Sequence, residues 1–268
     1  MIARFDDELG EGDFGGKAAQ LGQAHRSGLP VPPGRALSAA FVERVVAGDG
    51  AAVDRLVAAF RELDGPVAVR SSGIGEDGAS ASFAGQHATE LNVRGRDGLL
   101  EAVRKVHGSA RTEAALAYRR KLGLAPEPRM GVVVQRLVQA DTAGVLFTRN
   151  PATGADERVV EATWGLGEAV VAGLVTPDSY RMARGGRVLE RRAGEKDIAI
   201  LWAEEGGTRE VAVEPERIEA LCLDDARLTA LEGLAAACEA AFGGTQDIEW
   251  AFAGERLYLL QRRAITRG

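Results

Sequence analysis

Two carboxylates alternate near the end of the 268-residue chain, in the stretch Asp247-Ile248-Glu249-Trp250-Ala251-Phe252. Because successive side chains of a strand point to opposite faces, Asp247 and Glu249 share one face and the apolar residues share the other. The next alternating stretch groups Gln261 with Arg263 in the same way. A three-residue loop around Ala253-Gly254-Glu255 would place both polar pairs on one face, whereas a two-residue turn would separate them.

Two carboxylates, one amide oxygen and one guanidinium on a single face would suit a magnesium ion beside a phosphate. Magnesium takes oxygen ligands from one or two carboxylates, and oxygens of substrate phosphates occupy other positions of its coordination shell. Arginine binds phosphate through paired hydrogen bonds. The alternative is a solvated sheet face that carries a surface ion pair.

Lys17 follows Gly15 and Gly16 in the first turn of a predicted helix, where a cation opposes the helix dipole. A local rule broken without compensation often marks a functional site. The two glycines would let an anion approach the helix N-terminus. This is not a Walker A loop, because Glu11 and Ala18 stand where that motif needs glycine and Ser or Thr. A plain capped helix is the alternative.

Arg70 ends the apolar run Val67-Ala68-Val69, so it could emerge from a strand into a cleft or be an ordinary exposed charge. The segment from Ser71 to Gly85 is rich in Ser, Gly and Ala and is therefore predicted to be a flexible loop. Small residues there would permit close backbone contact with the phosphates of a nucleotide. The alternative is a surface loop without such a role.

Apolar periodicity predicts the elements that would position these residues. The predicted helices cover 17–25, two segments between 38 and 63, 98–122 and 216–242. The predicted strands cover 67–70, 88–93, 131–138, 143–148, 159–163, 175–183, 187–193, 210–213, 246–252 and 256–265. Short β-rich runs begin after Pro126-Glu127-Pro128. We therefore expect an α+β protein with two lobes, residues 1–128 and 129–268.

Composition narrows the classes of function. A net charge of -6 and a pI near 5.3 argue against a general nucleic-acid or anionic-membrane binder. Cys222 and Cys238 are too few and too far apart for a disulfide framework or a zinc site, so we expect both to be buried. The acidic N-terminal stretch lacks a signal-peptide core, and no apolar run approaches the ~20 residues of a membrane span. A cytoplasmic location is expected.

Five blocks of the chain, in order, resemble the nucleotide-binding domain of the phosphoenolpyruvate synthase and pyruvate phosphate dikinase family, which includes rifampicin phosphotransferases. The blocks are GGKAAQLGQAHRSGLPVPPG, VAVRSSGIGEDGASASFAGQHATELNV, GVVVQRLVQADTAGVLFTRNPATG, VVEATWGLGEAVVAGLVTPDSY and QDIEWAFAGERLYLLQRRAIT. The resemblance implies an ATP-grasp fold, in which two α+β lobes clamp ATP in a central cleft.

The resemblance also implies roles for individual residues. Lys17 and Arg70 would hold the transferring phosphates, assisted by Asp247 and Arg263, while Glu249 and Gln261 would ligate Mg²⁺. The residues implied to surround the nucleotide are Gly85, Gln86, Gln135, Leu137, Val138, Glu161, Gly165, Gly167 and Glu168. Asp247, Glu249, Gln261 and Arg263 are the same four residues that strand alternation grouped.

Members of this family split ATP into AMP and pass the β-phosphate to a histidine on a separate swivelling domain. The resemblance therefore implies a phosphotransferase that needs such a partner protein or further C-terminal domains. Two alternatives stay open: a kinase that phosphorylates a small molecule directly, and a sensor or scaffold module that binds ATP without turnover.

Overall fold

The computed structural model describes residues 1–75, 88–121, 123 and 127–265, and the chain forms two compact units. Unit 1 comprises Met1–Arg26, Pro32–Leu137 and Glu204–Gly207. Unit 2 comprises Ser27–Val31, Val138–Ala203 and Thr208–Gly268. The sequence predicted a single boundary after residue 128, whereas each unit is assembled from three separate segments of the chain.

Unit 1 contains a five-stranded sheet and six helices within its described residues. Its elements are β1 (Ile2–Arg4), α1 (Glu11–Phe14), α2 (Gly16–Arg26), β2 (Gly34–Leu37), α3 (Ala39–Val46), α4 (Gly50–Arg61), β3 (Val67–Gly73), β4 (Thr89–Val93), α5 (Gly95–Ser109), α6 (Glu113–Lys121) and β5 (Met130–Arg136). The strand order is β1-β2-β5-β3-β4, and all neighbouring strands are antiparallel. The strand predicted to open the second lobe is β5, in the middle of this sheet.

The two faces of the first sheet have different partners. One face carries Val67, Val69 and Val132, which are buried in the apolar core together with residues of α3, α4 and α5. The opposite face carries Arg70 and Ser72 and contacts α2. Arg70 and Ser72 therefore face away from the main core.

Unit 2 is built on a six-stranded sheet in the order β13-β12-β6-β7-β8-β9, with a separate two-stranded sheet of β10 and β11. Its elements are β6 (Thr142–Phe147), β7 (Glu157–Trp164), α7 (Glu168–Val171), β8 (Asp178–Ala183), β9 (Val188–Arg192), β10 (Ile198–Trp202), β11 (Thr208–Ala212), α8 (Pro215–Ile218), α9 (Asp225–Phe242), β12 (Gln246–Ala253) and β13 (Arg256–Ala264). Helices beside antiparallel sheets confirm the predicted α+β class.

Helix α9 packs on one face of the larger sheet. The guanidinium carbon of Arg262 lies 3.7 Å from the ring centroid of Phe242, and that of Arg227 lies 5.2 Å from the ring of Phe252. Ile248, Trp250 and Phe252 on this face are fully buried or nearly so. The opposite face, which carries Asp247 and Glu249, lies away from α9.

Two helices predicted as continuous are each interrupted. The predicted helix 98–122 breaks at residues 110–112, where the Thr112 hydroxyl accepts a hydrogen bond from Ala115 N and starts α6. The predicted helix 216–242 breaks between α8 and α9, because Cys222 N donates to Asp178 and Leu223 N donates to the Tyr180 hydroxyl. Both predictions of one long helix were wrong, since side chains compete for these backbone groups.

Both cysteines are free and buried, as predicted. Within the described ranges, no helix has the length and apolar character needed to cross a bilayer.

Candidate functional site

The terminal hairpin places its four polar residues in two adjacent cross-strand pairs. Asp247 lies opposite Arg263, and Glu249 lies opposite Gln261. Arg263 Nε donates to Asp247 Oδ2 at 2.6 Å, so the guanidinium is held by one edge. The shared face inferred from strand alternation is therefore present in the structure.

The loop of this hairpin differs from the three-residue loop considered from the sequence. Ala253 pairs with Arg256, so the loop is the two-residue turn Gly254-Glu255, and Gly254 has a φ of 59°. A β-bulge follows: Glu249 pairs with Gln261 but Trp250 pairs with Leu259, which leaves Leu260 as the extra residue. The bulge restores the parity that a two-residue turn alone would have reversed.

Asp247 sits in an environment that opposes its negative charge. Burial raises the pKa of its carboxyl, the charge of Glu249 adds to this rise, and Arg263 offsets it only in part. A second cation on this face would therefore be electrostatically favourable.

Glu161 belongs to the same row of the sheet as Glu249. Val145 on β6 pairs with Glu249 on one side and with Glu161 on the other. Two strand spacings separate the carboxylate-bearing strands by roughly 10 Å. Half-buried Val145 lies between them. This row of the face thus combines two acidic residues with one apolar residue between them.

The glycine-rich turn after β7 lies against β10, a strand that the sequence did not predict. Gly165 has a φ of 73°, and a Cβ there would lie 2.5 Å from the carbonyl oxygen of Ile200. Leu166 N donates to the same oxygen at 2.8 Å. Gly167 and Glu168 follow at the start of the one-turn helix α7. The contact with β10 accounts for glycine at position 165.

Lys17 and Arg70 both belong to unit 1 and are half-buried. Lys17 lies in the first turn of α2, as predicted, and Arg70 lies on β3. Ala18 N in that first turn donates to Ser72 Oγ at 3.0 Å. A Cβ on Gly15 would lie 2.0 Å from the carbonyl oxygen of Ser72, so glycine is required there by contact with β3. The expectation from the sequence was that this glycine lets an anion approach the N-terminus of the helix.

The residues expected near the adenine lie at the end of β5. Gln135 is buried, and its Nε2 donates to the carbonyl oxygen of Pro32 at 3.3 Å. Leu137 N donates to Pro66 O at 2.9 Å. The division between the units falls between Leu137 and Val138. Gly85 and Gln86, also predicted to contact the nucleotide, lie outside the described residues.

Among the described residues, no group of three or more His, Cys, Asp or Glu side chains is arranged to hold a metal ion. The oxygen pair of Glu249 and Gln261 nonetheless fits Mg²⁺ in its donor chemistry, because this ion commonly binds one or two protein oxygens together with substrate phosphates.

Sequence reasoning missed Ser72 as a contact of α2 and Leu260 as a bulge. Ser72 lies 54 residues from Ala18 along the chain, so no local pattern links them. The leucine pair Leu259-Leu260 interrupts strict alternation in β13 and is the one signal that could have indicated the bulge.

Residues 50–268 match the family model described as "Pyruvate phosphate dikinase, AMP/ATP-binding domain". A probable phosphoenolpyruvate synthase of Methanothermobacter thermautotrophicus is 35% identical over 98% of this chain and 46% of its own length. A rifampicin phosphotransferase of a Streptomyces species is 36% identical over 97% of this chain and 35% of its own length.

Two solved structures are also similar to the chain. The dinucleotide-forming acetyl-coenzyme A synthetase 1 of Ca. Korarchaeum cryptofilum has a TM-score of 0.48 at 14% identity, covering 94% of this chain and 92% of that one. The N5-carboxyaminoimidazole synthase of Aspergillus clavatus has a TM-score of 0.46 at 10% identity, covering 94% and 44%.

The chain spans less than half the length of the two curated relatives named above. The family model, in contrast, covers most of the chain. The chain therefore belongs to the family of pyruvate phosphate dikinase AMP/ATP-binding domains.

Proposed function

We propose that this chain is the ATP-binding module of a magnesium-dependent phosphotransferase with an ATP-grasp fold. The observation that carries the proposal is the polar face of the β12–β13 hairpin, where Glu249 lies opposite Gln261 and Asp247 binds Arg263. Membership of an AMP/ATP-binding family supports ATP as the ligand.

Glu249 and Gln261 would hold Mg²⁺ through their side-chain oxygens. An ion bound there would neutralise part of the negative charge of the phosphates. Arg263 Nε donates to Asp247 Oδ2 at 2.6 Å, which orients the planar guanidinium and leaves its far edge, formed by the two Nη groups, facing away from that bond. Since 45% of the Arg263 side chain is exposed, these groups could bind a phosphate in a bidentate manner.

Lys17 and Arg70 would bind the transferring phosphates from unit 1. Both are cationic and half-buried, so their attraction for an anion is screened less than that of fully exposed charges. The segment from Gln135 to Val138 would contact the adenine, and Glu161 with the turn Gly165–Glu168 would line the nucleotide pocket.

The proposed reaction converts ATP into AMP and transfers the β-phosphoryl group to a histidine nitrogen. The bond between the α- and β-phosphates breaks, and AMP leaves. The γ-phosphoryl group must then pass to water or to inorganic phosphate for the atoms to balance. The histidine would belong to a separate swivelling domain, either on a partner protein or in further C-terminal domains.

Chromatography of nucleotides tests this proposal. The chain is incubated with ATP and Mg²⁺, alone and with a histidine-bearing domain taken from a phosphoenolpyruvate synthase. We expect AMP only when that domain is present. AMP formed with a small-molecule acceptor and no second protein would indicate a direct kinase, and intact ATP throughout, despite measurable binding, would contradict the phosphotransferase.

A further inference from the structure

Helix α2 is capped by a residue from a distant strand. Gly15 precedes the helix and has no side chain that could accept a hydrogen bond from the first turn. Ala18 N donates instead to Ser72 Oγ at 3.0 Å. Ser72 is fully buried on β3. Its hydroxyl therefore performs the function of an N-cap across 54 residues of sequence.

Close backbone packing surrounds this bond. Gly15 has a φ of 81°, and a Cβ there would lie 2.0 Å from Ser72 O. A Cβ on Gly131 of β5, which pairs with Ser72, would lie 2.2 Å from Phe14 O and 3.1 Å from Ser72 O. The start of α2 thus rests directly on β3 and β5, and the Ser72 hydroxyl provides the directional contact.

Ser72 also links the two cations assigned to the phosphates. Lys17 immediately precedes Ala18, and Arg70 lies two residues before Ser72. Because strand side chains alternate, Arg70 and Ser72 lie on the same face of β3, the face that α2 contacts. The bond from Ala18 to Ser72 therefore fixes the backbone of Lys17 relative to that of Arg70.

We propose that Ser72 is a positioning residue for phosphate binding, acting through Lys17 by capping α2 from strand β3. The inference rests on the proposed function, in which Lys17 and Arg70 hold the transferring phosphates of ATP, which AMP lacks. Its specific consequence is that loss of the Ser72 hydroxyl weakens binding of ATP and leaves binding of AMP unchanged.

Isothermal titration calorimetry of Ser72→Ala with ATP and with AMP measures this consequence. We expect about a five-fold rise in the Kd of ATP, the effect of one misplaced hydrogen-bonding group, and the wild-type Kd for AMP. Asp49→Ala is the matched control, because Asp49 Oδ1 caps α4 of the same unit through Ala52 N at 3.1 Å. It should lower the denaturation midpoint and leave both affinities unchanged.

A double-mutant cycle distinguishes positioning from simple loss of stability. In a Lys17→Ala background, Ser72→Ala should raise the Kd of ATP by less than about two-fold further, because Ser72 acts through the lysine. Ser72→Cys, which keeps nearly the same volume with a weaker acceptor, replaces the alanine variant if that protein does not fold. It should show the same selective loss for ATP.

Three results would overturn the inference: wild-type ATP affinity in the folded Ser72 variants, equal weakening of ATP and AMP, or full additivity with Lys17→Ala. Failure of the proposed function looks different. If the wild-type chain bound no ATP, or if Lys17→Ala bound ATP as tightly as the wild type, the phosphate assignment itself would be refuted, and this inference with it.

Discussion

Glu239→Gln should loosen helix α9 from the sheet of unit 2 without changing the candidate ligand face. The helix is fastened by Arg158 on β7, which is 1% exposed and donates to Glu239, to Glu232 and to the carbonyl oxygen of Thr148 at 2.8–2.9 Å. Because α9 packs opposite the face that carries Glu249, this network supports the ligand-bearing strands from behind.

The size of the effect follows from the ionisation of Glu239. Burial disfavours its charge, but hydrogen bonds from Arg158 and Arg184 outweigh that cost and lower its pKa from 4.5 to about 2. At roughly 1.4 kcal/mol per pKa unit, this shift corresponds to about 3 kcal/mol of unfolding free energy. The side chain is only 16% exposed, so solvent screening removes little of it.

The sign of the pH dependence follows from the depressed pKa. The contribution is complete above pH 4.5, the value in the unfolded chain, and it is lost as the pH falls through about 2. At pH 7 we expect the glutamine variant to lose about 2–3 kcal/mol, because Glu232 still pairs with Arg158. The difference from the wild type should shrink as the pH falls below 4.5.

Urea denaturation followed by tryptophan fluorescence measures this loss. All three tryptophans, Trp164, Trp202 and Trp250, belong to unit 2, so their emission reports that unit. Glu62→Gln in unit 1 is the control and should leave the tryptophan transition in place. A loss below about 1 kcal/mol at pH 7, or a difference that is the same at pH 7 and pH 3, would refute the reasoning.

Two substitutions in unit 2 separate metal binding from folding. Glu249→Ala should abolish magnesium-dependent AMP formation while preserving the tryptophan transition, because it removes a ligand oxygen and no core packing; normal turnover in the folded variant would remove Glu249 from the metal site. In the wild type, Lys196 is fully buried and its Nζ lies 2.5 Å from Asp178 Oδ1. Asp178→Asn removes the negative charge that pairs with this lysine. It should lower stability by about 3–5 kcal/mol in urea denaturation, and an unchanged midpoint would contradict this role.

Strand alternation predicted the polar face of the terminal hairpin from two short stretches, 247–252 and 257–263, because period two is a strictly local property. The register that brings Glu249 opposite Gln261 was not predictable in the same way. It depends on a two-residue turn at Gly254-Glu255 together with the bulge at Leu260. The expected grouping was correct although the loop considered for it was wrong, because the bulge compensates for the shorter turn.

Helices α3 and α4 were predicted with the intervening turn at Gly48-Asp49-Gly50, since their periodicity and breaker residues are adjacent in sequence. The interruption before α9 was missed because it depends on Asp178, which accepts a hydrogen bond from Cys222 N across 44 residues. Ser72 was missed for the same physical reason. The acceptors of Cys222 N and Ala18 N lie in distant segments of the chain, so the local sequence around each donor does not reveal them.

Labelled ATP follows the fate of the β-phosphate most directly. The chain, Mg²⁺ and a histidine-bearing domain of a phosphoenolpyruvate synthase are incubated with ATP carrying ³²P at either the β or the γ position. We expect β-label on the histidine of the second protein, γ-label in inorganic phosphate or pyrophosphate, and AMP as the nucleotide product. Label from the γ position on protein, with ADP as the product, would contradict the proposed transfer.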